Sequence, residues 1–363
     1  MRKAIESSLC AGLLAGLLSP GYAGAAKPPK PTPTPTPAGC TACEIVYAQG
    51  ANGNTGRSDL MLMRTDGGSK TLLLAGASGV ANSYPRWAPD GQWIAFYTKA
   101  SEKGSVRVIR NDGTGLTTVA STCTAYQSWS AWRPVLGGNG YWLVYVDARN
   151  ADGSCIAETS PFRSNLWAVD LSLGAPVLPG RRVCLTCGLN AQGTDLWSFA
   201  AWSRDGAHLS ALQHRYEVYD NFYVFDVTFD SGSPSLGHAW LFAPPEFDAS
   251  RMSPPVSWGR EHDGLVFRKD NENGTHDLLK YEVDLTEEPE VLGDRTVLAS
   301  ESSYFFSVGL RWSPDDSQLI GVVGGTGSTS TDGIYVITPG PPFSMRLIAP
   351  HGSTGVSVPD WKP

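Results

Sequence analysis

The sequence predicts an all-β fold and, within that class, a six-bladed β-propeller. Three observations carry this. The chain holds 40 Gly, 26 Pro and 12 Trp among 363 residues, with only 17 % charged side chains. Turn formers and aromatics are therefore abundant, and the Ala/Glu/Lys-rich composition of long helices is absent. A tryptophan, a tight turn and an apolar strand recur in that order: Trp87-Ala-Pro-Asp-Gly91 before 93–97, Trp202-Ser-Arg-Asp-Gly206 before 208–212, and Trp312-Ser-Pro-Asp-Asp316 before 318–323. Weaker copies stand at Trp132-Arg-Pro, Trp258-Gly-Arg and Trp361-Lys-Pro. Self-similarity at this period marks a repeat architecture.

Each part of the unit has a physical reason. Proline pre-sets the first central position of a type I turn, aspartate suits the next, and glycine ends it. Every unit then offers a third strand, at 59–64, 105–110, 165–169, 221–225, 277–281 and 333–337, followed by a weaker fourth such as 71–74. Four short strands per unit make a propeller blade. The first second strand, 44–48, has no tryptophan turn before it, and the missing first strand stands at the other end, 356–361. The C-terminus is thus expected to complete the blade begun by the N-terminus, which removes open sheet edges. The six repeat tryptophans read as wedges between neighbouring blades.

These Trp-Ala-Pro-Asp-Gly and Trp-Ser-Pro-Asp motifs resemble the WD40-like PD40 repeats of TolB-type β-propellers, over residues 43–363. The resemblance implies a six-bladed propeller closed by its own termini, often periplasmic and used for protein–protein contacts. TolB itself carries an α/β domain ahead of the propeller, where this chain has only a Pro/Thr spacer, so the resemblance does not extend to the Tol–Pal envelope system. Similar repeats occur in prolyl-oligopeptidase-type peptidases. Their hydrolase domain and its Gly-x-Ser-x-Gly elbow are missing here.

Residues 1–26 read as a secretory signal peptide: Arg2 and Lys3, an apolar run at 9–18, and Ala23-Gly24-Ala25 for cleavage. That run is too short for a bilayer core of about 30 Å. Residues 27–37, KPPKPTPTPTP, favour polyproline II and read as a linker. The propeller would occupy 38–363. Net charge is −7 for the whole chain; without 1–37 there remain 24 basic and 34 acidic residues, a net of −10. This disfavours nucleic acid and anionic lipid as partners. The expectation is an exported monomer, periplasmic or extracellular, with no membrane insertion.

Cys10 falls in the signal peptide, leaving Cys40, Cys43, Cys123, Cys155, Cys184 and Cys187. An even number in an exported chain favours disulfides, while two Cys-x-x-Cys pairs invite a zinc reading. Strand direction puts Cys40 and Cys43 on the rim of the tryptophan turns and the other four on the opposite rim. A strand length of roughly 17–20 Å cannot be bridged by zinc–sulfur bonds of about 2.3 Å. The expected grouping is Cys40 with Cys43 and the other four among themselves, with no metal site.

The segments entering the first strands share that opposite rim with the connections between second and third strands. Tyr84, Arg86, Tyr126, Trp129, Trp197, Phe199, Tyr304, Phe306 and Arg311 are the candidate ligand contacts, for a protein partner on this loop-bearing rim. Packing between blades is the competing role for each aromatic. The connection 147–164, in the longest repeat, carries Cys155 and points to specificity. The histidines show no His-x-x-x-His spacing, and His208, within a strand, reads as packed. Residues 270–274 fall out of register with a calcium loop. The sequence therefore predicts a non-enzymatic binding or scaffold module without cofactor. The alternative is a propeller hydrolase or lyase acting on saccharide or peptide, with Asp147, His214, Glu217, Asp220, His276 and Asp332 converging at the tunnel mouth.

Overall fold

The computed structural model of the chain describes residues 44–363 apart from 51–55, 101–102, 124–129, 135–140, 157–162, 172–181, 190–194, 216–217, 231, 243–251, 260–263, 286–289, 302–303, 307–308, 326–331, 341, 351–355 and 357. The predicted signal peptide and linker lie outside the described residues, as do Cys40, Cys43, Tyr126, Trp129 and Glu217. Among the described residues there is no helix. Six antiparallel sheets account for the fold.

Blade 1 joins Asp360–Trp361 to Ile45–Gly50, Ser58–Met63 and Thr71–Leu74. Blade 2 runs Val80–Trp87, Trp93–Ala100, Lys103–Arg110, Thr117–Thr122. Blade 3 runs Ser130–Trp132, Tyr141–Asp147, Asn165–Leu171, Arg182–Cys184. Blade 4 runs Asp195–Trp202, His208–Arg215, Val218–Asp230, Ser233–Leu241, and blade 5 runs Met252–Trp258, Gly264–Asp270, His276–Asp284, Glu290–Glu301. Blade 6 splits its first strand into Tyr304–Phe306 and Arg311–Trp312 before Leu319–Gly325, Gly333–Thr338 and Ser344–Pro350. The first strands touch one another in turn from blade 1 to blade 6 and back to blade 1, so they form the inner wall of a closed ring. Closure is as predicted: Ile45 pairs with Trp361 and Val46 with Asp360.

The core is six cores, one per seam. Ile45 and Tyr47 pack with Ile320, Ile334 and Trp361 between blades 6 and 1, while Val46 and Ala48 pack with Trp87, Ile94 and Phe96 between blades 1 and 2. Side chains alternate across a strand, so a second strand must be apolar at every position to serve two seams. The repeat tryptophans also latch blades by hydrogen bonds. Trp132 Nε1 donates to the Arg86 carbonyl and Trp361 Nε1 to the Arg311 carbonyl, both at 3.1 Å.

The turns follow their sequence chemistry. Gly91 N donates to the Ala88 carbonyl at 2.9 Å with φ +63°, and Gly206 repeats this on Ser203 at 3.0 Å with φ +64°. In blade 6 Asp316 stands at the glycine position and takes φ +53°. The inner strands are less regular than predicted. Their register shifts between Ser83 and Arg86, Ser198 and Ala201, and Ser253 and Ser257. Tyr84, Phe199 and Gly309, each three residues before a repeat tryptophan, have φ of +51°, +50° and +99°. Such bulges re-aim the residues that follow.

Candidate functional site

Two regions hold the candidate residues. The first is the loop-bearing rim. There a disulfide joins Cys123, at the end of blade 2, to Cys155, in the insertion of blade 3, with Cα atoms 5.4 Å apart. Asp147 organises this staple from beneath. Its wholly buried carboxylate accepts the Cys123 N–H at 2.7 Å and Arg149 Nε at 3.1 Å, and Arg149 Nη2 donates to the Ser121 carbonyl at 3.0 Å. Burial raises the Asp147 pKa against these contacts. A second disulfide, Cys184–Cys187, closes a turn whose centre, Thr186, is buried and bonded to Leu166 N and Asn165 Oδ1. The expected pairing of these four cysteines among themselves holds.

Apolar side chains stand out of the same rim. Leu189 follows the second staple and is 52 % exposed; Leu241 ends the outer strand of blade 4 at 54 %; Phe305 opens blade 6 at 39 %. Of the other exposed large apolar residues described, Leu72, Val297 and Leu347 lie on the outer strands of blades 1, 5 and 6, and Leu116 stands just before that of blade 2. Phe305 is built into a polar cluster. The Arg268 guanidinium lies 4.0 Å from its ring centroid, Arg268 Nη1 donates to the Phe306 carbonyl at 2.7 Å, and Nη2 donates to Asp270 at 3.0 Å. His276 Nδ1 lies 2.7 Å from the other Asp270 oxygen, and its ring meets Phe305 edge-on.

The second region is the channel. The residue before each repeat tryptophan, namely Arg86, Ala131, Ala201, Ser257, Arg311 and Asp360, lines a cavity of about 300 Å³. Pro89, Pro134, Arg204 and Pro363 line it too, and they belong to the turns and the chain end, so the cavity lies toward the rim of the tryptophan turns. Charge gathers on one side, because blades 6, 1 and 2 contribute Arg311, Asp360 and Arg86 in order. Arg86 is 4 % exposed, and burial lowers its pKa while the Asp360 charge and Tyr84 pull it back up.

The predicted contacts divide accordingly. Trp197 and Phe306 are wholly buried in seam cores and serve packing. Phe199 and Tyr304 pack against seam cores while half-buried. Tyr84 is half-buried, and burial pushes its pKa up to about 12. Arg86 and Arg311 do line the channel, but at the ends of their strands. They therefore sit toward the turn rim and not at the loop-side mouth expected from sequence. Asp147 is a structural anchor, not a convergent acid, and the side chain of Asp220 lies outside the described residues. Among the described residues no group of three His, Cys, Asp or Glu side chains could hold a metal ion. His208 is packed as expected, 7 % exposed, with Nε2 3.2 Å from Asp226.

Sequence reasoning missed Asp360 and Arg204. Both had a signal: Asp360 occupies the channel-facing position before a repeat tryptophan, and Arg204 replaces the turn proline of the repeat.

No family model and no curated protein matches the chain. Solved structures do. TolB from Acinetobacter baumannii aligns at a TM-score of 0.61 with 15 % identity, over 88 % of this chain and 67 % of that one. A putative TolB from Agrobacterium tumefaciens aligns at 0.51 with 13 % identity, over 88 % and 99 %. A chain of a nidogen/laminin complex aligns at 0.53 with 9 % identity, over 88 % and 98 %. At these identities the likeness is one of fold, and by fold the chain is a TolB-like six-bladed β-propeller.

Proposed function

We propose that the chain is an exported, non-enzymatic binding module that presents its loop-bearing rim to a protein partner. One observation carries this reading: Leu189, Leu241 and Phe305 stand exposed on a rim that two disulfides make rigid. Ordering loops in advance lowers the entropy lost on binding, and aromatic and arginine groups such as Phe305 with Arg268 are the usual centres of interface energy. Disulfides also fit an oxidising compartment outside the cytosol.

The reading is tested by substituting Leu241→Asp and Phe305→Asp together. Co-purification of the partner should fall about ten-fold or more, as two apolar contacts near an interface centre are lost, with an unchanged melting temperature. Unaltered co-purification overturns it.

The enzyme reading keeps one favourable observation, the His276–Asp270 pair at 2.7 Å, because a carboxylate can orient a histidine base. Saccharide or peptide turnover abolished by His276→Ala would replace the binding module with a hydrolase or lyase.

A further inference from the structure

The channel cavity is a separate feature with its own chemistry. Its described lining side chains include three arginines, Arg86, Arg204 and Arg311, against one acid, Asp360. The chain as a whole carries −7. A cationic concavity in an acidic protein attracts anions and repels them elsewhere, and low-dielectric walls focus that field.

The arginines are graded in depth. Arg204 is exposed in the turn of blade 4, Arg311 is half-buried, and Arg86 is 4 % exposed. Arg86 and Arg311 come from blades on either side of Asp360, whose carboxylate accepts the Trp87 N–H at 2.8 Å and whose charge acts on Arg86. The opposite side of the ring is small, with Ala131, Ala201 and Ser257, so the free space faces the charged side. At about 300 Å³ the cavity stands at the lower end of small-molecule sites.

We propose that this cavity binds a carboxylate, held between the Arg86 and Arg311 guanidiniums and guided in past Arg204. Guanidinium presents paired N–H donors that match the two oxygens of a carboxylate. The walls around the charged groups are alanine, proline and the edges of repeat tryptophans, so the ligand carries its carboxylate on a small apolar body. A free organic acid and the C-terminal carboxylate of a peptide share this chemistry. The site is at the opposite end of the channel from the loop-bearing rim, and it stands whether or not that rim captures a protein.

The test is titration calorimetry of the full propeller with four probes: benzoate, benzamide, acetyl-trialanine and acetyl-trialanine amide. At least one of the two carboxylates should bind while its neutral counterpart does not. Benzoate alone identifies a free acid as the source, and acetyl-trialanine alone identifies a chain terminus. Arg311→Gln and Arg204→Gln, which spare the most buried cation, should each weaken binding, Arg311→Gln by about ten-fold or more. Asp360→Asn removes the competing negative charge yet keeps an acceptor for Trp87, and should tighten binding. Equal heats from acids and amides, no binding of either acid, or affinity unchanged in Arg311→Gln overturns the proposal.

Discussion

Asp360 and Trp87 are 273 residues apart in sequence, yet the Asp360 carboxylate accepts the Trp87 backbone N–H at 2.8 Å. The contact joins blade 1 to blade 2 at the point where the last strand of the chain completes the first blade. Its backbone neighbour, Trp361, pairs with Ile45 and buries its ring between blades 6 and 1. One two-residue strand thus fastens both seams of blade 1.

Replacing Asp360 by alanine removes a buried acceptor and the negative charge nearest Arg86. The expected cost is about 3 kcal/mol, the usual effect of stranding a buried charge. Urea unfolding followed by tryptophan fluorescence measures it. Asp360→Asn, which retains the acceptor, should cost less than half as much; equal losses would mean that charge has no part in the closure.

Loss of the Cys123–Cys155 bridge should lower stability by about 2–4 kcal/mol, since the bond closes a span of 32 residues between two blades. Cys123→Ser with Cys155→Ser should shift the thermal midpoint down, and reductant should then have a smaller effect on the variant than on the parent. A midpoint identical to that of the parent would show that Asp147 and Arg149 hold the insertion by themselves.

Acid should weaken blade 4 through Asp205. His208 beside it, together with donation from Ser203 Oγ at 2.6 Å and Ala207 N at 2.9 Å, holds this carboxyl well below the usual range. A depressed folded-state pKa gives stability that is complete above the unfolded value of 3.8 and is lost as pH falls below it. Asp205→Asn should therefore lower the urea midpoint at pH 7, with the gap to the parent narrowing at pH 3. A gap that is constant or grows toward acid would assign the carboxylate no such role.

Asp316 holds φ +53° where the sister turns use Gly91 and Gly206. A side chain in the left-handed region costs stability that glycine does not. Asp316→Gly should raise unfolding free energy by about 0.5–1 kcal/mol, read from the denaturant midpoint. A decrease would mean that the aspartate makes contacts worth more than the relief.

Blade number, ring closure and the disulfide rim were legible in sequence because each rests on a local, repeated pattern. A Trp-Ala-Pro-Asp-Gly turn is written in consecutive residues, and strand parity then assigns Cys123, Cys155, Cys184 and Cys187 to one rim. The inner strands were less legible. The turns at Tyr84 and Phe199 use left-handed backbone at bulky aromatics, which local propensity argues against, and the register shifts beside them fall just ahead of Arg86 and Ala201. Aromatic residues ahead of the repeat tryptophans were ambiguous for the same reason. Trp197 and Phe306 turned into the seams, whereas Phe305, one residue from Phe306, faces outward under Arg268. Long outer strands such as Ser233–Leu241 and Glu290–Glu301 carry polar, irregular sequences because one side meets solvent.

The central claim, that the loop-bearing rim is the protein-binding face, is tested most directly by site-specific photo-crosslinking. A photoreactive residue is placed at Leu241 or Phe305 on that rim, or at Asp315 in a turn on the opposite rim, and the protein is irradiated in its native compartment. The account predicts a discrete crosslinked protein from Leu241 and Phe305 and none from Asp315. Equal trapping from all three positions, or trapping from Asp315 alone, would contradict it.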